Sequence, residues 1–196
     1  MLNIPHVIHT DKNGNERAVD ITTRLLSDRI ILCVGEVTED LAESITGQLL
    51  YLEAENPDKP ITMIVSGPGG AVTAGLAIID TMNMISCPII TIVSGEVASM
   101  DAMIALSGTK GKRKMMPHAR YMLHSVSGGL NANFHDMKIT LEEVGRLQDM
   151  LMHMIADASG KDLELVKKDC ERDFWMSPEQ AVEYGLVDEI ITPHKS

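Results

Sequence analysis

Three times between Arg29 and Leu106 the chain passes from a short apolar run to a segment with helical periodicity. The first run, Arg29-Ile30-Ile31-Leu32-Cys33-Val34, is closed by Gly35 and reads as a buried strand. After it, Leu41, Ile45, Leu49 and Leu52 fall on one face of a helix predicted from Glu39 to Glu55, which Asn56-Pro57 ends. A second strand, Ile61 to Val65, leads into Ser66-Gly67-Pro68-Gly69-Gly70 and a helix over roughly 72–85. The third, Ile89 to Val93, closes at Ser94-Gly95, and a further helix starts near Ser99. Tyr121-Met122-Leu123 is another short strand, ending at His124. Apolar strands alternating with helices predict a parallel sheet with crossover helices. Such sheets collect ligands where strand C-terminal ends meet helix N-termini.

The flanks add two features. Before about Ser27 the chain is polar, and Lys12-Asn13-Gly14-Asn15 between Val7-Ile8 and Ala18-Val19 predicts a short hairpin or loop. Towards the other end, Met137, Leu141, Val144, Leu151 and Ile155 stripe one helix from about Asn133 to Ala158. At about 1.5 Å per residue it spans about 39 Å, longer than a small domain requires, and is expected to project and pack on another subunit. Ser177-Pro178-Glu179-Gln180 reads as a helix start, Gly185 as its end, and residues 187–191 as a last strand. With 196 residues and neither internal repeat nor linker, one domain is expected.

Composition narrows the function classes. A net charge of −11 disfavours binding to nucleic acid through phosphate contacts. The one basic run, Lys110 to Lys114, is expected to be a solvated turn or a subunit contact. Cys33, Cys87 and Cys170 lack the spacing of a disulfide framework or a zinc site, which suits a reducing compartment. Met1 to His6 shows no secretory pattern, and no apolar run approaches a membrane span. No membrane association, no metal and a cytoplasmic location are therefore expected. The abundance of Met, 14 residues against 3% aromatics, leaves open whether Met fills the core or contact surfaces.

Three strand ends carry candidate chemistry: Gly67-Pro68-Gly69-Gly70, Gly95-Glu96-Val97-Ala98-Ser99-Met100 and Tyr121-Met122-Leu123-His124. A serine at a strand-to-helix turn presents its hydroxyl at the ligand edge, beside unpaired helix N-terminal N–H groups suited to an oxyanion. That hydroxyl needs a base, and His124 is the natural partner. A carboxylate must then hold the imidazole, and by spacing Asp101, Asp136, Asp169 and Asp173 all qualify. The glycine run is not a phosphate loop, since no Gly-Lys-Ser/Thr follows, and Val97 to Asp101 does not match the G-x-S-x-G elbow.

At these residues the chain resembles the ClpP family, the proteolytic subunits of Clp proteases. Matching blocks run from Ile4-Pro5 to Ile191. They include Leu52-Glu53-Ala54-Glu55-Asn56-Pro57, Pro68-Gly69-Gly70, Ala98-Ser99-Met100, Met122-Leu123-His124, Glu171-Arg172-Asp173 and Ala181 to Asp188. The resemblance implies a ClpP/crotonase-like α/β fold of repeated β-β-α and βαβ units over residues 1–196. Residues 1–20 would be an axial loop and 125–158 a projecting handle region. It implies a serine endopeptidase with Ser99 as nucleophile, His124 as base and Asp173 as orienting acid. The Gly70 and Met100 N–H groups would be the oxyanion donors, and Arg172 would lie at an oligomer contact. It further implies two stacked heptameric rings that cut unfolded polypeptides to short peptides. The chain itself would carry no cofactor, ATP being used by a separate AAA+ unfoldase.

Three departures stand out. Asp101 replaces the family's glycine and is expected to point away from the site or to cap its helix. Ser125-Val126 replaces Gln-Pro after the histidine. Thr62, Ile64, Met84 and Lys114 stand where the family's docking pockets carry aromatics. The competing readings are a catalytically silent ring subunit and a crotonase-type acyl-CoA enzyme, for which the long helix has no use.

Overall fold

A computed structural model describes residues 5–10, 14, 16–129 and 133–192. Strands β1 (His6–Thr10) and β2 (Glu16–Asp20) pair antiparallel as the expected hairpin. Residues 12, 13 and 15 of its predicted turn lie outside the described residues. Helix α1 (Ile21–Ser27) follows, with the Asp20 carboxylate accepting from the Thr23 N–H at 2.9 Å. It is too short and polar to leave a helical stripe in the sequence.

The alternation predicted from Arg29 onward is the body of the fold. Strands β3 (Ile30–Val34), β4 (Ile61–Gly67) and β5 (Ile89–Ala98) are parallel neighbours. They are joined by α2 (Glu39–Glu55) and α3 (Val72–Met84), while α4 (Ser99–Leu106) follows β5. Alternate residues of β4 are buried, and α2 turns Ala42, Ile45, Leu49 and Leu52 inward onto the sheet. Met63, Met82, Met100, Met103, Met115 and Met152 are all buried, so the methionine surplus mainly fills the core in place of aromatic rings.

The third strand runs further than expected. Gly95, at φ +67°, bends β5 rather than ending it. The first half pairs with β6 (Arg113–Met115) and the second with β7 (Arg120–Leu123). Beyond these come α5 (Phe134–Ser159), α6 (Leu163–Asp169), β8 (Phe174–Met176), α7 (Pro178–Tyr184) and β9 (Glu189–Ile190). Strands β6 and β8, three residues each, and the seven-residue α6 are too short for periodicity to reveal them. The seven-stranded sheet runs β3-β4-β5-β6-β9, with β7 on β5 and β8 antiparallel to β7.

The predicted capping box is present: the Ser177 hydroxyl accepts from Gln180 N–H, and the Gln180 side chain accepts from Ser177 N–H at 2.8 Å. The basic run divides. Arg113 is buried and forks onto Asp188 at 2.7 and 3.0 Å, fastening β6 to the approach of β9, while Lys114 pairs with Glu189 at 2.8 Å. Only Lys110 and Lys112 stay exposed, which favours the solvated turn. No helix among the described residues is long and apolar enough to cross a membrane.

Candidate active site

Strand pairing brings the candidate residues together. Ala98, the last residue of β5, pairs with Met122 of β7, so Ser99 and His124 leave neighbouring strands at the same sheet edge. The antiparallel register of β7 and β8 pairs Leu123 with Phe174. One step beyond that pair, His124 and Asp173 stand opposite each other. His124 Nδ1 lies 3.6 Å from Asp173 Oδ1, close enough for charge attraction but longer than a hydrogen bond. No hydrogen bond joins the Ser99 hydroxyl to His124 among the described residues.

Ser99 adopts φ +52°, a conformation that non-glycine residues rarely take. Such a strained turn lifts the Ser99 side chain out of the backbone line, as a nucleophile requires. The next residue, Met100, offers an N–H that has no acceptor within the helix. Across from it the Val37 N–H donates to the Gly69 carbonyl, and the Ala71 N–H donates to the Val37 carbonyl, both at 2.8 Å. In a trans peptide the N–H points opposite its carbonyl, so the Gly70 N–H faces away from Val37 and towards the site. Gly69 is the close approach: a Cβ there would lie 2.5 Å from the Ser99 Cβ, and its φ is +97°. Only glycine lets this strand lie against the nucleophile turn.

A cleft of about 290 Å³ joins Ser99, His124, Gly69 and Gly70 to an apolar floor of Met103, Leu151, Met152 and Ile155. The nucleophile helix is tied to the histidine strand by buried Tyr121 of β7, whose hydroxyl donates to the Ala102 carbonyl. No sequence pattern signals this bond.

Of the four carboxylates that spacing left open, Asp173 is the one facing His124. Asp136 accepts from the Asn133 amide at the start of α5, and Asp169 accepts from the Tyr184 hydroxyl at 3.0 Å. Asp101 corrects the expectation made for it. It neither points away nor caps α4; it is fully buried and accepts the Gly69 N–H at 2.8 Å through Oδ2. Burial pushes its carboxyl up to about 6, against the opposing pull of that hydrogen bond. Arg172 is exposed beside Asp173.

The Ser125-Val126 departure has a structural use. The Ser125 hydroxyl donates to the Cys170 carbonyl at 2.8 Å, and the Val126 N–H donates to Gln148 Oε1 of α5 at 2.6 Å. A proline at 126 has no N–H to give. Among the docking positions, Met84 is exposed, while Thr62, Ile64 and Lys114 are half-buried.

A strained serine, an imidazole and a carboxylate at one sheet edge, beside free backbone N–H groups, are the equipment of covalent acyl transfer. The family model for Clp protease matches residues 13–194. The chain is 48% identical over 190 residues to the ATP-dependent Clp protease proteolytic subunit of Leuconostoc citreum, covering 96% of this chain and 94% of that one. The chain belongs to the Clp protease family and is a peptidase with its α/β fold.

Proposed function

We propose that Ser99, His124 and Asp173 form the catalytic triad of this serine endopeptidase. The observation that carries the reading is the β7–β8 register, which sets Asp173 opposite His124 at the cleft where Ser99 opens α4. Ser99 Oγ attacks a peptide carbonyl while His124 takes its proton. The oxyanion is met by the Gly70 and Met100 N–H groups, one from the glycine strand and one from the helix N-terminus. His124 then protonates the leaving amine, and water releases the acyl group from Ser99. Asp173 orients the imidazole and stabilises it when charged. Met103 and Met152 in the floor suit an apolar side chain beside the scissile bond, since thioethers adapt to varied shapes.

The chain works as part of a homo-oligomer of two stacked heptameric rings, in the cytoplasm. An AAA+ unfoldase feeds it unfolded chains and consumes the ATP, and the peptidase needs no cofactor of its own. Residues 1–20 form the axial segment and 125–158 the handle, within one domain. Exposed apolar residues on α5, namely Phe134, Ile139 and Leu141, support a contact between copies. Arg172 lies in that contact and draws Asp173 the remaining distance to His124. Ser99→Ala abolishes both peptide cleavage and labelling by a fluorophosphonate while the particle still assembles. Continued cleavage by that variant overturns the triad.

A further inference from the structure

Asp101 is placed unlike any other carboxylate among the described residues. It sits two residues after Ser99, in the first turn of α4, with no surface exposed. Its Oδ2 accepts the Gly69 N–H at 2.8 Å, while Oδ1 is buried with no hydrogen-bond partner. Room for the carboxylate exists only because residue 67 lacks a side chain. A Cβ on Gly67 would lie 2.5 Å from Asp101 Oδ2 and 2.2 Å from the Gly35 carbonyl oxygen.

Two hydrogen bonds therefore hold Gly69. Its carbonyl is taken by the Val37 N–H from outside the site, and its N–H by Asp101 from the nucleophile helix. The next N–H along is that of Gly70. A glycine at φ +97° has little conformational preference of its own, so the aim of the Gly70 N–H depends on these anchors. Only the Asp101 anchor moves with Ser99.

We propose that Asp101 is a positioning residue of the peptidase, tying the Pro68–Gly70 strand to the first turn of α4 so that the Gly70 N–H and Ser99 keep a fixed spacing. The proposal rests on the triad reading above. Because an ionised acceptor binds an N–H about twice as strongly as a neutral one, the tether is strongest when Asp101 carries charge. The surroundings leave that charge uncompensated. From β3 the titratable group in its field is Cys33, whose thiol burial and this carboxylate push up to about 12. The β4 segment contributes only glycines and Pro68, and no charged side chain of α3, β5, β7 or α5 shifts the carboxyl. Burial brings its titration to about 6.

The test is the assembled enzyme on a short fluorogenic peptide, with rates normalised to fluorophosphonate-labelled sites. Asp101→Ala removes the tether and lowers kcat by about 10–100-fold with KM within about twofold, the signature of a lost transition-state interaction. Asp101→Asn restores a neutral acceptor and recovers part of the lost rate. The ratio of wild-type kcat to that of Asp101→Asn falls from roughly fivefold near pH 8 to about one near pH 5, because acid turns the native acceptor neutral too. A ratio that stays flat or rises towards acid overturns the proposal, as does wild-type kcat in Asp101→Ala. Should the alanine variant fail to assemble, the asparagine ratio decides alone. Cleavage by Ser99→Ala would refute the triad instead, so the two failures are distinguishable.

Discussion

Helices α4 and α5 sit on either side of one cleft and are held in opposite ways. Seven of the eight residues of α4 are buried, Met100 to Leu106, including a carboxylate. Of the 26 residues of α5 only Leu151, Met152 and Ile155 are buried, all in its C-terminal half where it floors the cleft. The apolar stripe expected along α5 is thus only partly used within the subunit, with Leu141 exposed and Met137 and Val144 half-buried. The same division runs through the proposed triad. Ser99 stands on the helix fixed by the core, while the Asp173 side chain is 64% exposed and short of hydrogen-bonding His124. Contacts within one chain suffice to set Ser99 and the Gly70 backbone beside it. In the proposed triad, setting Asp173 is left to whatever packs on the outer surface.

The sharpest way to break this contrast is to disturb the inner half. Gly69→Ala forces a methyl onto the Ser99 turn, and kcat is expected to fall about 100–1,000-fold with subunit assembly retained. Titrating labelled Ser99 against peptide turnover checks it. Packing comes next. Ile104→Ala, at a fully buried site in α4, should cost about 2–5 kcal/mol in urea unfolding of the subunit.

Acidity tests the buried charge. The Asp101 carboxyl is raised in the folded chain to about 6 from 3.8, so the folded state holds a proton that the unfolded state releases. Its stabilising contribution is full below about pH 4 and is lost as pH rises through about 6. The loss is on the order of 2–3 kcal/mol. It appears as a pH-dependent difference in unfolding free energy between wild type and Asp101→Asn, and equal pH slopes would refute it. The smallest effect belongs to the outer helix. Leu141→Ala should change the unfolding free energy of the isolated subunit by less than about 0.5 kcal/mol, yet weaken assembly measured by sedimentation.

The contrast also marks what the sequence could reveal. Helix α2 and strands β3 and β4 were legible because each buries a regular face, and regular burial writes its period into the chain. Strand β8 is too short for any period, so the element presenting Asp173 was invisible, and resemblance alone chose Asp173 among four carboxylates. The register that places it is a fact of pairing across some fifty residues. Asp101 misled for a different reason. A charged side chain in a first helical turn ordinarily faces water. Here the glycine at 67 opens an interior space for it, and no local pattern records that. Tyr121 and Val126 act through single bonds to Ala102 and Gln148, which leave no periodic trace either.

The pairing of β7 with β8 has a consequence for biosynthesis. Gly70, Ser99 and His124 come from the first two thirds of the chain, while Asp173 is delivered by a strand that ends at Met176. A nascent chain that has not yet released that strand holds Ser99 and His124 without the element that presents Asp173. The order of residues along the gene thus acts as a timer, withholding the third member of the proposed triad until β8 has been made.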